Sequence, residues 1–233
     1  MGSTRLPGKV MLDLRGKTVL ARVVERVRQA RFAGEVVIAT TMSQTDEAIV
    51  DECRKLCVRV YRGSGDDVLD RYYQAAKQFS ADAIIRVCSD CPLIEPEIVD
   101  KTAQEFLTFQ PDYASNTIER TYPRGLDTEI MTWDALASCW REAHKFYQRS
   151  HVTPYIYENP DRFNILRVIS DPDYSEYRWT LDTPEDLAFI RAVYSRIQHA
   201  EMFSWHDVLE LLERVPELLE LNQHIPQKAL QAG

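Results

Sequence analysis

Apolar residues recur at helical spacing through residues 17–30, at Val19, Leu20, Val23, Val24 and Val27, and the stretch 35–40 that follows is short, continuous and β-branched. A stripe with a period near 3.6 predicts an amphipathic helix, and an unbroken apolar run of this length predicts a strand covered on both faces. The alternation repeats as helix 45–56, strand 58–61, helix 68–79, strand 81–88 and helix 95–109. Helices alternating with buried strands predict an α/β protein built on a doubly wound, mostly parallel sheet.

The middle of the chain departs from this rhythm. Residues 111–116 and 126–132 predict short strands around a polar connection punctuated by Pro123 and Gly125, and residues 133–147 return to helix. The span 111–132 is therefore a small β excursion, suited to substrate or dimer contacts. Residues 163–169 and 177–181 predict the last strands. Thr183-Pro184-Glu185-Asp186 then opens a helix with an N-cap, a proline in the first turn and acidic residues that complement the helix dipole. Amphipathic helices at 204–214 and 217–224 close the chain. No repeat or interdomain linker interrupts residues 1–233, so one domain is expected. A doubly wound domain ordinarily enters its first loop from a central strand, yet here a loop begins at Met1, so a first strand is expected ahead of it.

Composition narrows the function. The 233 residues carry 28 Lys and Arg against 36 Asp and Glu, a net charge of −8. No global basic field exists to gather nucleic acid or an anionic membrane, and an anion site must be local. No apolar run reaches the roughly 18 residues of a membrane span, and a cytoplasmic protein is expected. Cys53, Cys57, Cys88, Cys91 and Cys139 are odd in number and scattered, which fits reduced thiols. Cys88-x-x-Cys91 lacks the second ligand pair of a structural zinc site and reads as two buried thiols.

Residues 2–9 combine flexible Gly2 and Gly8, the Ser3 hydroxyl and the cations Arg5 and Lys9, the inventory for wrapping a polyphosphate. A basic, frayed terminus has the same composition. Five residues between the glycines, and Val10 where a magnesium-binding hydroxyl is needed, exclude a Walker A loop. Asp90 follows predicted strand 81–88, and Asp182 follows predicted strand 177–181; both stand at strand carboxyl ends, where ligand crevices of α/β sheets open and where two carboxylates could share a magnesium ion. Either is also consistent with a turn-shaping Asp. Asn116, Asp127 and Glu129 in the excursion and His151 in His151-Val152-Thr153-Pro154-Tyr155 are candidate substrate contacts. Arg71, on the helix after Gly63-Ser64-Gly65-Asp66-Asp67, could face a nucleotide.

The segments Met1–Lys9, Gly63–Tyr72, Asp90–Ile94, Ser115–Thr117, Tyr122-Pro123-x-Gly125-Leu126-Asp127, His151–Tyr155 and Arg178–Leu187 together resemble the spore coat polysaccharide biosynthesis protein F family, which is similar to the cytidylyltransferases that make CMP-sialic acid and CMP-Kdo. The resemblance covers nearly the whole chain. It implies a nucleotide-diphospho-sugar transferase-like fold and transfer of CMP from CTP to a sugar or sugar acid, with pyrophosphate leaving, in surface polysaccharide biosynthesis. It implies that Gly2, Ser3, Arg5, Gly8 and Lys9 hold the CTP phosphates, that Asp90 and Asp182 bind Mg2+, that Arg71 lies near the base pocket, and that the protein is a homodimer. In that family a strand and a Gln-Ala-Arg stretch precede the position of Met1. Two other readings remain: a GT-A-type glycosyltransferase, for which Asp171-Pro172-Asp173 would be the metal motif, and a catalytically silent nucleotide-binding or assembly protein.

Overall fold

A computed structural model describes residues 1–197 and 203–227. Nine α-helices are described. α1 (Val19–Val27) starts at Thr18, whose side chain accepts from the Ala21 amide and so meets one of the donors a helix start leaves open. α2 (Glu47–Lys55), α3 (Val68–Gln78) and α4 (Pro96–Phe109) follow. They alternate with three strands: β1 (Val37–Thr41), β2 (Arg59–Gly63) and β3 (Ala83–Arg86). β4 (Tyr113–Ser115) and β5 (Glu129–Thr132) flank the excursion. Then come α5 (Trp133–Glu142), α6 (Phe146–His151), α7 (Pro154–Tyr157), β6 (Ile165–Arg167), α8 (Pro184–Arg196) and α9 (Trp205–Arg214). The α/β class read from the alternation is the class found. No helix of the described residues is long and apolar enough to cross a membrane.

The sheet is more mixed than the sequence predicts. β1 and β2 form a parallel pair, whereas β3, β5, β4 and β6 form a second sheet in that order. There β5 runs antiparallel to both β3 and β4, and only β4 and β6 are parallel. The cause is the excursion: no crossover helix separates β4 from β5, so β5 returns beside β4 in the opposite sense, as a connection without a crossover requires.

Between β1 and β3 lies a slot of about 570 Å³, walled by the two strands and covered by α1 and α4 side chains, including Val23, Val27 and Phe106, and by Ala75 and Phe79 of the α3 segment. Among the described residues β1 pairs only with β2 and β3 only with β5, so no described strand lies on the edges facing the slot. Met1 sits at its carboxyl end, where the α-ammonium group meets Asp46 Oδ1 at 2.8 Å while the same carboxylate accepts from the Thr41 amide at the end of β1.

Three predicted elements differ. Residues 177–181 are extended but join no ladder, because their partners are loops: Trp179 N donates to Arg124 O at 2.6 Å, Leu181 N donates to Asp90 O at 2.8 Å, and Arg124 and Arg178 form an isolated parallel bridge. The predicted helix 133–147 breaks after Glu142, where Arg149 Nη1 donates to the carbonyls of Trp140 and Ala143, satisfying the α5 terminus from the side. The last predicted helix is a 3-10 helix, Pro216–Leu221. Its proline lacks an amide, and this tighter coil is typical of short pieces.

The stitching of residues 178–182 depends on one backbone conformation. Gly125 has φ +113°, and a β-carbon there would lie 2.6 Å from the Trp179 carbonyl carbon. Only glycine fits. Gly125→Ala is expected to lose at least about 2 kcal/mol of stability through strain and backbone collision, measured as a lowered denaturation midpoint at unchanged m-value.

Candidate active site

The N-terminal loop folds back on itself before the first helix. Gly8 adopts the left-handed conformation at φ +69°, its amide donates to Met1 O, and the Leu6 amide donates to Ser3 Oγ. A 3-10 turn, Lys9–Met11, then directs Lys9 inward. Its ammonium donates to Asp90 Oδ2 at 2.5 Å and to Asp182 Oδ1 at 2.7 Å. Asp90 stands four residues beyond β3, and Asp182 stands at the start of α8. The two candidate carboxylates thus converge on one cationic centre across sequence separations of 81 and 173 residues.

Asp182 is the more heavily cationised. Its second oxygen lies 3.0 Å from Arg5 and 3.2 Å from Arg178. Burial alone would raise the Asp182 carboxyl, but Lys9, Arg5 and Arg178 outweigh it and hold the group below its ordinary 3.8. Burial likewise opposes the Lys9 charge, and Asp90 with Asp182 overcomes it and raises the ammonium above its ordinary 10.5. Lys9 therefore stays charged and Asp182 ionised across the physiological range.

The backbone holding Asp182 is fixed by a residue sequence reasoning read only as a first-turn acid. Asp186 is fully buried and accepts from the amides of Asp182 and Thr183, from both Nε and Nη2 of Arg178 at 2.9 Å, and from Asn222. Arg178, four residues ahead of Asp182, was the available signal: an Arg at that spacing on an extended segment needs anionic partners once buried. Asp46 was missed for the same reason. It gathers Met1, Thr40 and Thr41 at the end of β1 and is thereby depressed far below the ordinary carboxylate range despite its burial.

The other predicted residues are placed unevenly around this centre. Gly2 has open space where a side chain would be. Arg71 donates through Nη1 to Ser64 O at 2.7 Å, beside the carboxyl end of β2, and its buried Nε has no partner among the described residues. Asn116 bridges the excursion to itself, donating to Leu126 O and accepting from the Thr128 amide. Asp127 takes both terminal nitrogens of Arg120, at 2.6 and 3.0 Å. Glu129 is buried, and its carboxylate is occupied by Arg86, Tyr113 and Thr153. His151 ends α6. Asp90, Asp182, Arg5 and Lys9 are thus one cluster, whereas Asn116 and Glu129 turn their polar atoms into the protein.

The remaining carboxylates and thiols do not enlarge the cluster. Asp173 accepts from the Ser175 amide and closes a turn after Pro172. Burial pushes the Cys88 thiol up to about 12 and holds Cys91 well above its ordinary value, so neither supplies a thiolate near neutrality. Among the described residues no group of three or more His, Cys, Asp or Glu could enclose a metal. Two carboxylates aimed at one cation do suit magnesium, which is commonly held by one or two carboxylates while phosphates and water complete its shell.

The cytidylyltransferase family model matches residues 1–219. The chain is 33% identical to the spore coat polysaccharide biosynthesis protein SpsF of Bacillus subtilis over 224 residues, which is 93% of this chain and 92% of that protein. A 3-deoxy-manno-octulosonate cytidylyltransferase of Geobacter sulfurreducens is 39% identical over 101 residues, 42% of this chain and 39% of that one. The structure of a cytidylyltransferase from Leptospira borgpetersenii superposes with a TM-score of 0.91 at 36% identity, covering 97% of this chain and 95% of that chain.

The Asp182 environment has a pH consequence. Because its carboxyl is lower in the folded than in the unfolded chain, its contribution is complete above about pH 4 and fades as pH falls toward the folded value. Asp182→Asn should therefore be less stable than wild type at pH 7, and the gap should narrow on going from pH 5 to pH 3. Urea unfolding of both proteins across that range measures it.

Proposed function

We propose, since this chain belongs to the cytidylyltransferase family, that it transfers CMP from CTP to a hydroxyl of a sugar or sugar acid, releasing pyrophosphate, in the biosynthesis of a surface polysaccharide. The observation that carries the site assignment is the convergence of Lys9, Asp90 and Asp182 beside a glycine-flanked loop.

The transfer needs little covalent help from the protein. The acceptor oxygen attacks the α-phosphorus while the bond to the β-phosphate oxygen breaks, so charge builds on the pyrophosphate leaving group. The loop amides around Gly2, Ser3 and Gly8, with Arg5 and Lys9, are the groups that would hold and neutralise it. Asp90 and Asp182 would hold magnesium, which neutralises charge on phosphate oxygens when bound. Arg71, on α3 and bonded to Ser64 just after β2, would flank the base. The excursion 111–132 would meet the acceptor, and the exposed Leu107 and Phe109 supply apolar area for a homodimer.

The slot between β1 and β3 belongs to the same reading. An apolar strand the length of β1, running parallel to it and leading into Met1, would pair both free edges and brace the phosphate loop from behind. Extending the chain ahead of Met1 by such a strand should raise the melting temperature and the rate of pyrophosphate release. No gain in either would count against that strand.

The catalytic reading is tested by pyrophosphate release from each of the four nucleoside triphosphates, with magnesium and a panel of sugars and sugar acids. CTP is the expected donor. Lys9→Met should lower kcat by about a hundredfold or more, the scale of losing one charge-stabilising group from a preorganised site, with the circular dichroism spectrum unchanged. Turnover undiminished by this change would remove Lys9 from the mechanism.

A further inference from the structure

The centre around Asp182 is neutral before any ligand arrives. Asp90, Asp182 and Asp186 supply three negative charges, and Lys9, Arg5 and Arg178 supply three positive ones in direct contact with them. Asp90 Oδ2 and Asp182 Oδ1 both accept from Lys9, while Asp182 Oδ2 meets Arg5 and Arg178. Of the oxygens on these two carboxylates only Asp90 Oδ1 faces no cation, and its hydrogen-bond partner is Cys91 Sγ at 3.6 Å.

A magnesium ion held by Asp90 and Asp182 needs the place that Lys9 fills. Magnesium bonds carboxylate oxygen at about 2.0–2.1 Å, and Lys9 Nζ stands only 2.5 and 2.7 Å from the two oxygens that face each other across it. Two cations bridging one pair of oxygens repel strongly at that range. A divalent ion added to the centre as it stands would also leave two positive charges uncompensated among partly buried groups.

Of the three cations, Lys9 is the one suited to move away. Arg178 is pinned by Asp186, which takes its Nε and Nη2 at 2.9 Å, and its Nη1 donates to Gln227. Arg5 bonds the oxygen of Asp182 that Lys9 does not use. Among the described residues the Lys9 ammonium has only the two carboxylates as partners. It is a point charge on a flexible four-carbon stem, able to turn to any acceptor within reach. The main chain behind it is lightly held: the Gly8 amide donates to Met1 O at 3.4 Å and the Lys9 amide to Leu6 O at 3.2 Å, both at the long end of the range.

We infer that Lys9 is a resident plug in the metal position: its ammonium keeps a divalent cation off Asp90 and Asp182 until the phosphates of a nucleotide draw it away, so that metal and triphosphate enter the site together. The inference rests on the nucleotidyl-transfer reading for the identity of the two ligands. The triphosphate supplies the acceptor oxygens that Lys9 gives up on leaving, and the vacated carboxylates supply those that the metal needs. Each ligand therefore favours the other through one side chain, and free metal does not load the protein ahead of nucleotide.

The test measures binding of Mn2+, an ion with the same octahedral preference for oxygen, from the electron paramagnetic resonance signal of the free ion with no nucleotide present. The proteins are wild type, Lys9→Met, Lys9→Gln and the double variant Lys9→Met with Asp90→Asn. Lys9→Met should bind Mn2+ about tenfold or more tightly than wild type, the usual scale of coupling between sites, and the double variant should lose the gain. Lys9→Gln should follow Lys9→Met and replaces it if circular dichroism finds that variant unfolded. Mn2+ should also raise the Tm of Lys9→Met, whose carboxylates are left facing each other, and leave that of wild type nearly unchanged. In calorimetric titrations with CTP and no acceptor, the factor by which Mn2+ tightens CTP relative to EDTA should be larger in wild type than in Lys9→Met. Complexation of metal by nucleotide in solution is common to both proteins and cancels in that comparison. If wild type binds Mn2+ as tightly as Lys9→Met, if neither binds it, or if the CTP factor is equal in the two, the inference is overturned. A gain that persists in the double variant places the ion elsewhere and overturns it as well. No readout needs turnover, so absence of pyrophosphate release would sink the proposed reaction and leave the role of Lys9 to be decided by the metal titrations.

Discussion

One ammonium group organises this molecule. Lys9 reaches from the first loop to a strand end and a helix start that lie far along the chain, and the two carboxylates it meets would repel each other without it. Partly buried charges of this kind persist only when each is matched and held in good geometry. The matching is extended outward: Arg178 serves Asp182, Asp186 serves Arg178, and Asn222 serves Asp186. The chemistry of the site and the packing of α8 are thus parts of one charged network.

Much of this was legible before the structure. The alternation of helical and strand periodicity identified the α/β class, and the capping signals at Thr183 placed the start of α8. Asp90 and Asp182 were candidates because each follows a predicted strand, a position that depends only on local order along the chain. The breaks were those of non-local origin. The apolar run 177–181 looks like a strand because it is buried and extended, and whether it joins a ladder depends on loops 50 or more residues away. The α5 helix ends early because Arg149, from the following helix, caps it. Periodicity carries no trace of either partner.

The residues expected to meet the acceptor show a different limit. Asn116 opens an irregular connection and Glu129 begins the strand that ends it, a place where binding surfaces are common, yet both spend their polar atoms on the interior.

The extended segment 178–182 ties these halves together. Trp179 is bonded to the Arg124 carbonyl and Leu181 to the Asp90 carbonyl, with Asp182 next in line. No glycine interrupts the three residues from Trp179 to Leu181 that carry the two bonds. The two loops are therefore bonded to one short stretch of backbone. Linkage would then impose a symmetry: whatever free energy a ligand at the Arg124 loop added to binding at the Asp90 loop, the second ligand would return in equal measure to the first.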